Sequence, residues 1–239
     1  MVDLGGSARA QSGVMAGILE IGLQVTNLGK HYEVGRGRKK VFEGLNFTLN
    51  KGERVAILGR NGQGKSTLIK ILGGVLPPST GRLDWRMTSS WPIGFGGGFQ
   101  GTLTGIDNIR FLSRLYARDY SEILDKVEDF AELGRALRQP VKQYSSGMRA
   151  RLAFGLSLAI EFECYLIDEL VSVGDARFQD KCSVELFEHR KDRTFMMASH
   201  DMAMIQNNCD RAIVIESGKV KLFDDIEEAV DVYRWLHAA

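Results

Sequence analysis

The sequence predicts an α/β fold with three parts: a mostly parallel sheet core, an antiparallel β portion and a helical insert. Three observations support this prediction. Residues 19–58 contain short segments in which apolar and polar side chains alternate, as they do in half-buried strands. Between Thr104 and about Leu137 the apolar residues recur at helical spacing. Beyond residue 160, buried strands alternate with helical segments.

The first part of the chain is predicted to form strands and then one helix. Two segments alternate in polarity, and a short apolar run follows the turn Lys51-Gly52-Glu53. The helix ends near Gly73-Gly74, before the turn Pro77–Gly81. The predicted strands are Leu23–Thr26, Leu45–Leu49, Arg54–Leu58 and Arg82–Trp85, and the helix begins around Leu68–Leu72.

The insert is predicted to be helical because Ile123, Val127 and Phe130 lie at positions i, i+4 and i+7, with Ser121 as the expected N-cap. After the insert the α/β core resumes. The expected strands are Tyr165–Asp168, Thr194–Ala198, Ala212–Ile215 and Lys219–Leu222, the last two forming a hairpin, and the expected helices are Cys182–His189 and Glu227–Leu236.

Composition excludes several classes of protein. The net charge is +1, which gives no overall attraction to nucleic acid. The three cysteines are scattered, which favours reduced thiols over a disulfide framework or a zinc site, and we expect Cys164 in the core. No run of about 18 apolar residues is present. One basic run, residues 35–40, is either a solvated loop or a contact to a phosphate or membrane partner.

The segment Gly59–Thr67 fits the pattern G-x-x-x-x-G-K-[ST] between a predicted strand and a predicted helix. Its glycines let the backbone N–H groups turn inward around phosphates, and the helix N-terminus adds a favourable dipole. Lys65 can reach the β- and γ-phosphates, and the Ser66 hydroxyl can bind Mg²⁺. The alternative, a glycine-rich turn that binds nothing, does not explain the complete pattern in this context.

The strand Tyr165–Asp168 ends in two acidic residues about 100 residues after the phosphate loop. Asp168 can hold Mg²⁺, often through water, because the ends of parallel strands meet at one edge of the sheet. Glu169 can then act as general base toward the attacking water. Taken alone, such an acidic pair often only closes a strand.

A second helix start of the phosphate-binding kind lies at Ser145-Ser146-Gly147, before a long apolar helix. Its hydroxyls and free N–H groups can meet an anion, although an ordinary serine N-cap is the simpler alternative. At this point the chain resembles the nucleotide-binding subunit of an ATP-binding-cassette (ABC) transporter. Tyr144–Met148 occupies the place of the family's L-S-G-G-Q signature, in which Ser145 and Gly147 match while the other three residues depart.

The resemblance covers about residues 20–236 and implies further site residues. Tyr32 resembles the aromatic residue that stacks on adenine, and Gln100 the glutamine that senses Mg²⁺ and water. Asp175 resembles the acid of the loop that crosses the dimer interface, and His200 the histidine that holds the γ-phosphate. The resemblance implies a homodimer with two ATPs at its interface. Residues 1–18 are then expected to be a flexible leader and residues 19–239 the nucleotide-binding domain, with a helical subdomain at about 101–160.

Together the loop motif and the resemblance assign one complete site. Nucleotide binding is assigned to Tyr32, Gly59, Asn61, Gly62, Gln63, Gly64, Lys65, Ser66, Thr67, Ser145, Ser146, Gly147 and Asp175. Mg²⁺ is assigned to Ser66, Gln100 and Asp168, and catalysis to Lys65, Gln100, Glu169 and His200.

Within the family the chain is similar to the polysaccharide-export branch, through Trp91–Gly105, Tyr144–Arg149 and Val173–Phe178. This implies an ATPase that drives capsular polysaccharide, or a related lipid-linked glycan, across the bacterial inner membrane from its cytoplasmic face. The implied partners are membrane permease subunits of the ABC-2 type and envelope export components. The chain ends at Ala239, soon after the final helix, so we expect a capsule-type exporter without a carbohydrate-binding domain.

Two other functions fit parts of the sequence. A cassette ATPase that acts on ribosomes or nucleic acid is disfavoured by the single cassette, the lack of a heptad run and the near-neutral charge. A P-loop nucleotide kinase would have no use for the signature at Ser145. Nucleotide-triggered dimerisation distinguishes the transporter subunit from the kinase.

Overall fold

The computed structural model describes residues 20–35, 37–93, 99–169 and 176–238. Its strands are β1 (Ile21–Val34), β2 (Gly37–Asn50), β3 (Arg54–Leu58), β4 (Thr80–Trp85), β5 (Cys164–Asp168), β6 (Thr194–Ala198), β7 (Arg211–Glu216) and β8 (Lys219–Phe223). Its α-helices are α1 (Lys65–Leu72), α2 (Gly105–Leu115), α3 (Tyr120–Ala131), α4 (Ser146–Ile160), α5 (Ala176–Ser183), α6 (Met202–Asn208) and α7 (Ile226–Ala238). The expected α/β organisation is therefore confirmed.

The central sheet has five strands in the order β5-β6-β3-β7-β8. The first four run parallel, and β8 returns antiparallel to β7 as the predicted hairpin. Parallel strands end at a common edge, and ligands bind in the crevice outside that edge. The residues that follow Leu58, Asp168 and Ala198 are therefore brought together by the topology of the sheet.

A second, antiparallel sheet has the order β2-β1-β4. The β1–β2 hairpin is long, with paired residues from Ile21 and Asn50 at its base to Val34 and Gly37 at its tip. A buried apolar cluster joins this sheet to helix α1 and to one face of the central sheet; its members include Leu28, Phe42, Leu49, Ile57 and Leu68. The hairpin is thereby held against the phosphate loop.

Residues 37–40 of the basic run lie in a strand, whereas one of the two sequence-based interpretations predicted a loop for the run. Strand β2 already begins at Gly37, and Lys39 pairs with Tyr32 of β1. The glycines at positions 35 and 37 suggested a loop, but cross-strand pairing extends β2 to the tip of the hairpin. The side chains of Arg38, Lys39 and Lys40 therefore alternate between the two faces of strand β2.

Helices α2, α3 and α4 follow the helical pattern of the sequence, and Ile123, Val127 and Phe130 are buried as expected. The predicted N-cap Ser121 is wrong. The N-cap lies two residues earlier, at Asp119, whose carboxylate accepts a hydrogen bond from the Glu122 N–H, and helix α3 begins at Tyr120. Both residues are good N-caps, and the one that precedes the helical dihedrals takes that position.

The cysteine and hydropathy expectations can also be compared with the structure. Cys164 is fully buried, as predicted, and Cys182 and Cys209 are buried free thiols. Burial raises the pKa of the Cys182 and Cys209 thiols to about 12, so both stay protonated and unreactive near neutral pH. In the part of the chain that the structure describes, no helix combines the length and the apolar character needed to cross a bilayer.

We predict that Phe154→Ala lowers the free energy of unfolding by about 3–5 kcal/mol. Phe154 on α4 is 1% exposed, and its ring centroid lies 5.5 Å from Phe130 on α3 and 6.3 Å from Phe178 on α5. Truncation would leave a cavity where three helices meet. Denaturant unfolding of this variant and of Phe111→Ala, whose side chain is 55% exposed, measures the difference. Equal losses would show that the aromatic cluster does not stabilise the fold.

Candidate active site

The phosphate loop connects β3 to α1, as the sequence predicted. Gly64 is the N-cap of α1 with φ 112°, and a Cβ added there would lie 2.4 Å from Cγ1 of Val41 on β2. Any larger residue would collide with the hairpin, so only glycine allows the loop and β2 to pack this closely. The first N–H groups of α1 remain free to bind an anion.

Lys65 lies at the base of the loop, and its side chain is 7% exposed. Its Nζ donates to the Gly59 carbonyl at 2.6 Å and to the Arg60 carbonyl at 3.3 Å. Burial lowers the pKa of the Lys65 ammonium, while the nearby Glu169 and Asp168 carboxylates act in the opposite direction. The ammonium is thus held inside the loop, where phosphates would compensate for its desolvation.

Ser66 and Asp168 meet although they are 102 positions apart in the sequence. The Ser66 hydroxyl donates to Oδ1 of Asp168 at 2.8 Å. Burial raises the pKa of the Asp168 carboxyl, and the hydrogen bond from Ser66 partly offsets that effect. A bound divalent cation would lower the pKa again, and two hard oxygen donors suit Mg²⁺. Among the described residues no group of three or more His, Cys, Asp or Glu side chains could hold a metal.

Glu169 and His200 also meet at the edge of the sheet. Glu169 follows β5 and His200 follows the neighbouring strand β6, and His200 Nε2 lies 2.8 Å from Glu169 Oε1. The Glu169 backbone has a positive φ of 57°, and its N–H donates to the Ala198 carbonyl at 2.9 Å. Both side chains are about half exposed, so a water molecule can reach them from the crevice.

A cavity of about 250 Å³ opens between the hairpin and the phosphate loop. Tyr32 of β1 lines it together with Asn61, Gly62, Gly64, Lys65, Ser66, Thr67 and Glu169 from the predicted site. Lys30 Nζ lies 5.3 Å from the centroid of the Tyr32 ring and donates to the Pro77 carbonyl at 2.8 Å, which holds the ring in position. Tyr32 is therefore placed where a base could stack.

Two lining residues, Lys39 and Val41, were missed by sequence reasoning as individual site residues. The basic run was the available signal, but a run does not identify which of its members faces the loop. The Gln63 side chain is turned away from the cavity, since its Oε1 accepts a hydrogen bond from the Ser217 N–H. Gly59 lies under the loop, where its carbonyl binds Lys65.

Gln100 does not line this cavity. Its backbone is fixed by two hydrogen bonds to one side chain. Its N–H donates to the Asn108 side chain at 2.8 Å, and its carbonyl accepts from the same amide at 3.1 Å. Asp175 lies outside the described residues, as do the glycines at 94 and 96–98.

The signature segment forms the start of α4, away from this cavity. Ser145 is the N-cap and accepts a hydrogen bond from the Met148 N–H at 3.2 Å, while Ser146 begins the helix and Gly147 follows. Ser145 and Ser146 are exposed, whereas Tyr144 is buried and its hydroxyl donates to the Ala136 carbonyl. Within one chain, Ser145, Ser146 and Gly147 do not line the cavity at the phosphate loop.

The chain matches known proteins along nearly its whole length. A family model described as "ABC transporter" matches residues 42–172. The ATP-binding protein BexA of Haemophilus influenzae is 50% identical over 211 residues, which cover 88% of this chain and 97% of BexA. The capsule polysaccharide export ATP-binding protein CtrD of Neisseria meningitidis serogroup B is 50% identical over 214 residues, which cover 90% of this chain and 99% of CtrD.

The fold also matches solved structures. An ATP-binding cassette, solved as a dimer in a post-hydrolysis state with ADP and Pi, superposes with a TM-score of 0.69 at 20% identity. The match covers 85% of this chain and 98% of the cassette's chain, so the two proteins share a fold. The family model, the relatives at 50% identity and the phosphate-loop architecture together show that the chain belongs to the ABC transporter family, as an ATP-binding, ATP-hydrolysing subunit.

Proposed function

We propose that this protein is the ATPase subunit of a transporter that exports capsular polysaccharide, or a related lipid-linked glycan, across the inner membrane. The observation that carries the ATPase chemistry is the meeting of the phosphate loop with Asp168 and Glu169 at one edge of the sheet. The glycan class is supported by the name of CtrD, a capsule polysaccharide export ATP-binding protein that is 50% identical to this chain over 214 residues.

The nucleotide is held mainly by the phosphate loop. Its phosphates meet the free N–H groups at the start of α1 and the Lys65 ammonium, and the base stacks on Tyr32. Ser66 and Asp168 fit Mg²⁺ and would hold it, and the ion would supply charge neutralisation for the phosphates. Gln100 is proposed to approach the same ion and water from the other side of the crevice.

Glu169 is proposed to act as the general base and His200 to position it. The carboxylate orients a water molecule for in-line attack on the γ-phosphate and takes its proton. His200 contacts the same carboxylate at 2.8 Å, so it limits the rotamers of Glu169. It is also proposed to hold the γ-phosphate. Catalysis then comes mostly from positioning and charge stabilisation.

Two copies are proposed to close around two ATPs. The exposed helix start at Ser145 offers a hydroxyl and N–H groups to an anion, yet it lies apart from the loop of its own chain. A second copy that places Ser145, Ser146 and Gly147 over the γ-phosphate would complete the site, with Asp175 near the interface. Closure and reopening would drive the attached membrane subunits, of the ABC-2 type, at the cytoplasmic face of the inner membrane.

The domain organisation is part of this proposal. We propose that residues 19–239 form the nucleotide-binding domain, with residues 101–160 as its helical subdomain. Envelope export components are expected to act beyond the permease, and no nucleic acid is expected as a partner because the net charge is only +1.

An affinity purification from detergent-solubilised native membranes tests the transporter assignment. We expect this subunit to retain a polytopic membrane protein and the eluate to hydrolyse ATP. The Lys65→Ala variant serves as the matched control and should retain the partner while losing hydrolysis. Recovery of ribosomes or nucleic acid in place of a membrane protein would contradict the exporter assignment and support the alternative ATPase.

A further inference from the structure

Lys39, on the β1–β2 hairpin, lies in the nucleotide cavity without any assigned role. It pairs directly with Tyr32 across the two strands, and directly paired residues project from the same face of a sheet. Both side chains line the cavity that Lys65, Ser66 and Thr67 also line. A lysine beside the base-stacking position and opposite the phosphate loop is within reach of the nucleotide.

The hairpin holds Lys39 in a defined place relative to the loop. Val41, two residues further along β2, lines the same cavity and packs so closely on the loop that no Cβ fits at Gly64. Phe42, next in sequence, is 1% exposed in the core cluster. The strand that carries Lys39 is therefore anchored on the phosphate loop itself, so Lys39 lines an organised site.

The charges around the cavity leave Lys39 available for an anion. Among the described residues, the side chain of Lys39 has no hydrogen-bond or ion-pair partner. The neighbouring cations differ: Lys40 pairs with Glu43 at 2.6 Å, and Arg60 pairs with Glu216 at 2.5 Å. Lys65, the other lysine that lines the cavity, donates to two carbonyls of its own loop.

We infer that Lys39 is a further nucleotide-binding residue, whose ammonium pairs with the phosphate chain of ATP while its stem flanks the base on Tyr32. This inference rests on the proposed nucleotide site. A lysine ammonium is a compact charge on a flexible stem, suited to a phosphate contact that does not require fixed geometry. Since the side chain is exposed, its contribution to affinity is modest.

Binding of a graded ligand series tests this role. ADP, AMP and adenosine compete with a fluorescent nucleotide for the wild type and for Lys39→Met, which keeps the stem and removes the charge. We expect ADP affinity to fall about threefold to tenfold in Lys39→Met, AMP affinity to fall less, and adenosine affinity to stay unchanged. Lys39→Arg should restore ADP affinity, because it restores the charge.

Lys40→Met is the matched control, because Lys40 is adjacent, equally basic and on the opposite face of the strand, where it pairs with Glu43. It should bind all three ligands like the wild type. Unchanged ADP affinity in Lys39→Met would overturn the inference, and so would an equal loss for ADP and adenosine. If Lys65→Ala bound ADP as tightly as the wild type, the proposed nucleotide site itself would fail, and the inference with it.

Discussion

Glu169→Gln is expected to keep ATP binding and to lower the rate of ATP hydrolysis by about 10²–10⁴-fold. The amide is nearly isosteric with the carboxylate, so the contact to His200 and the backbone hydrogen bond to Ala198 can both remain. It cannot accept the proton of the attacking water. Binding measured by nucleotide titration, together with single-turnover hydrolysis, separates the two effects.

The matched control for this change is Glu128→Gln, which neutralises an exposed glutamate on α3 that does not line the nucleotide cavity. It should bind and hydrolyse ATP like the wild type. If Glu169→Gln hydrolysed ATP at nearly the normal rate, the assignment of the general base would be wrong. If it lost ATP binding instead, Glu169 would be part of the binding site and not of the chemistry.

Lys65→Ala is expected to weaken ATP binding by about 30-fold or more and to abolish measurable hydrolysis. The substitution removes the buried cation that faces the phosphates, and it leaves the Gly59 and Arg60 carbonyls without their donor. Calorimetric titration with ATP measures the loss of affinity. Thermal unfolding without nucleotide measures how much of the effect comes from the altered loop.

Lys219→Ala is the control for that variant, because it removes an exposed lysine on the β7–β8 hairpin. Its ATP affinity should equal that of the wild type. ATP binding in Lys65→Ala within a factor of three of the wild type would show that the phosphates do not lie in the loop.

The elements of this fold could largely be predicted from the sequence, because apolar periodicity reports burial directly. Ile123, Val127 and Phe130 became the buried face of α3, and Tyr165 to Asp168 became a core strand. The start of α3 was placed at the wrong cap, since Asp119 and Ser121, two positions apart, both satisfy the cap preference and only dihedral angles distinguish them.

The geometry of the site was harder to predict from the sequence, because the order of the strands in a sheet depends on residues far apart in the chain. The sequence placed Glu169 and His200 each after a strand, but only the order β5-β6-β3 makes those strands neighbours and brings the side chains to 2.8 Å. Lys39 was hidden for the same reason. Its role depends on its pairing with Tyr32, and the glycines around the basic run suggested a loop instead.

The phosphate that the signature segment binds could not be predicted from the sequence. Sequence predicted a helix start at Ser145, and the structure has the serine at that N-cap. Which phosphate it serves depends on a second copy, and nothing in a single chain specifies how two copies meet. We infer the sandwich from the separation of Ser145 from the loop of its own chain, and one direct measurement tests it.

That measurement is the molar mass of the Glu169→Gln variant by light scattering, with and without ATP and Mg²⁺. The slowed hydrolysis would preserve the closed state long enough to observe it. We predict a monomer without nucleotide and a mass twice as large with ATP. The same variant with Lys65→Ala added should stay monomeric. A Glu169→Gln protein that binds ATP and remains a monomer at every concentration would contradict the ATP-sandwich dimer.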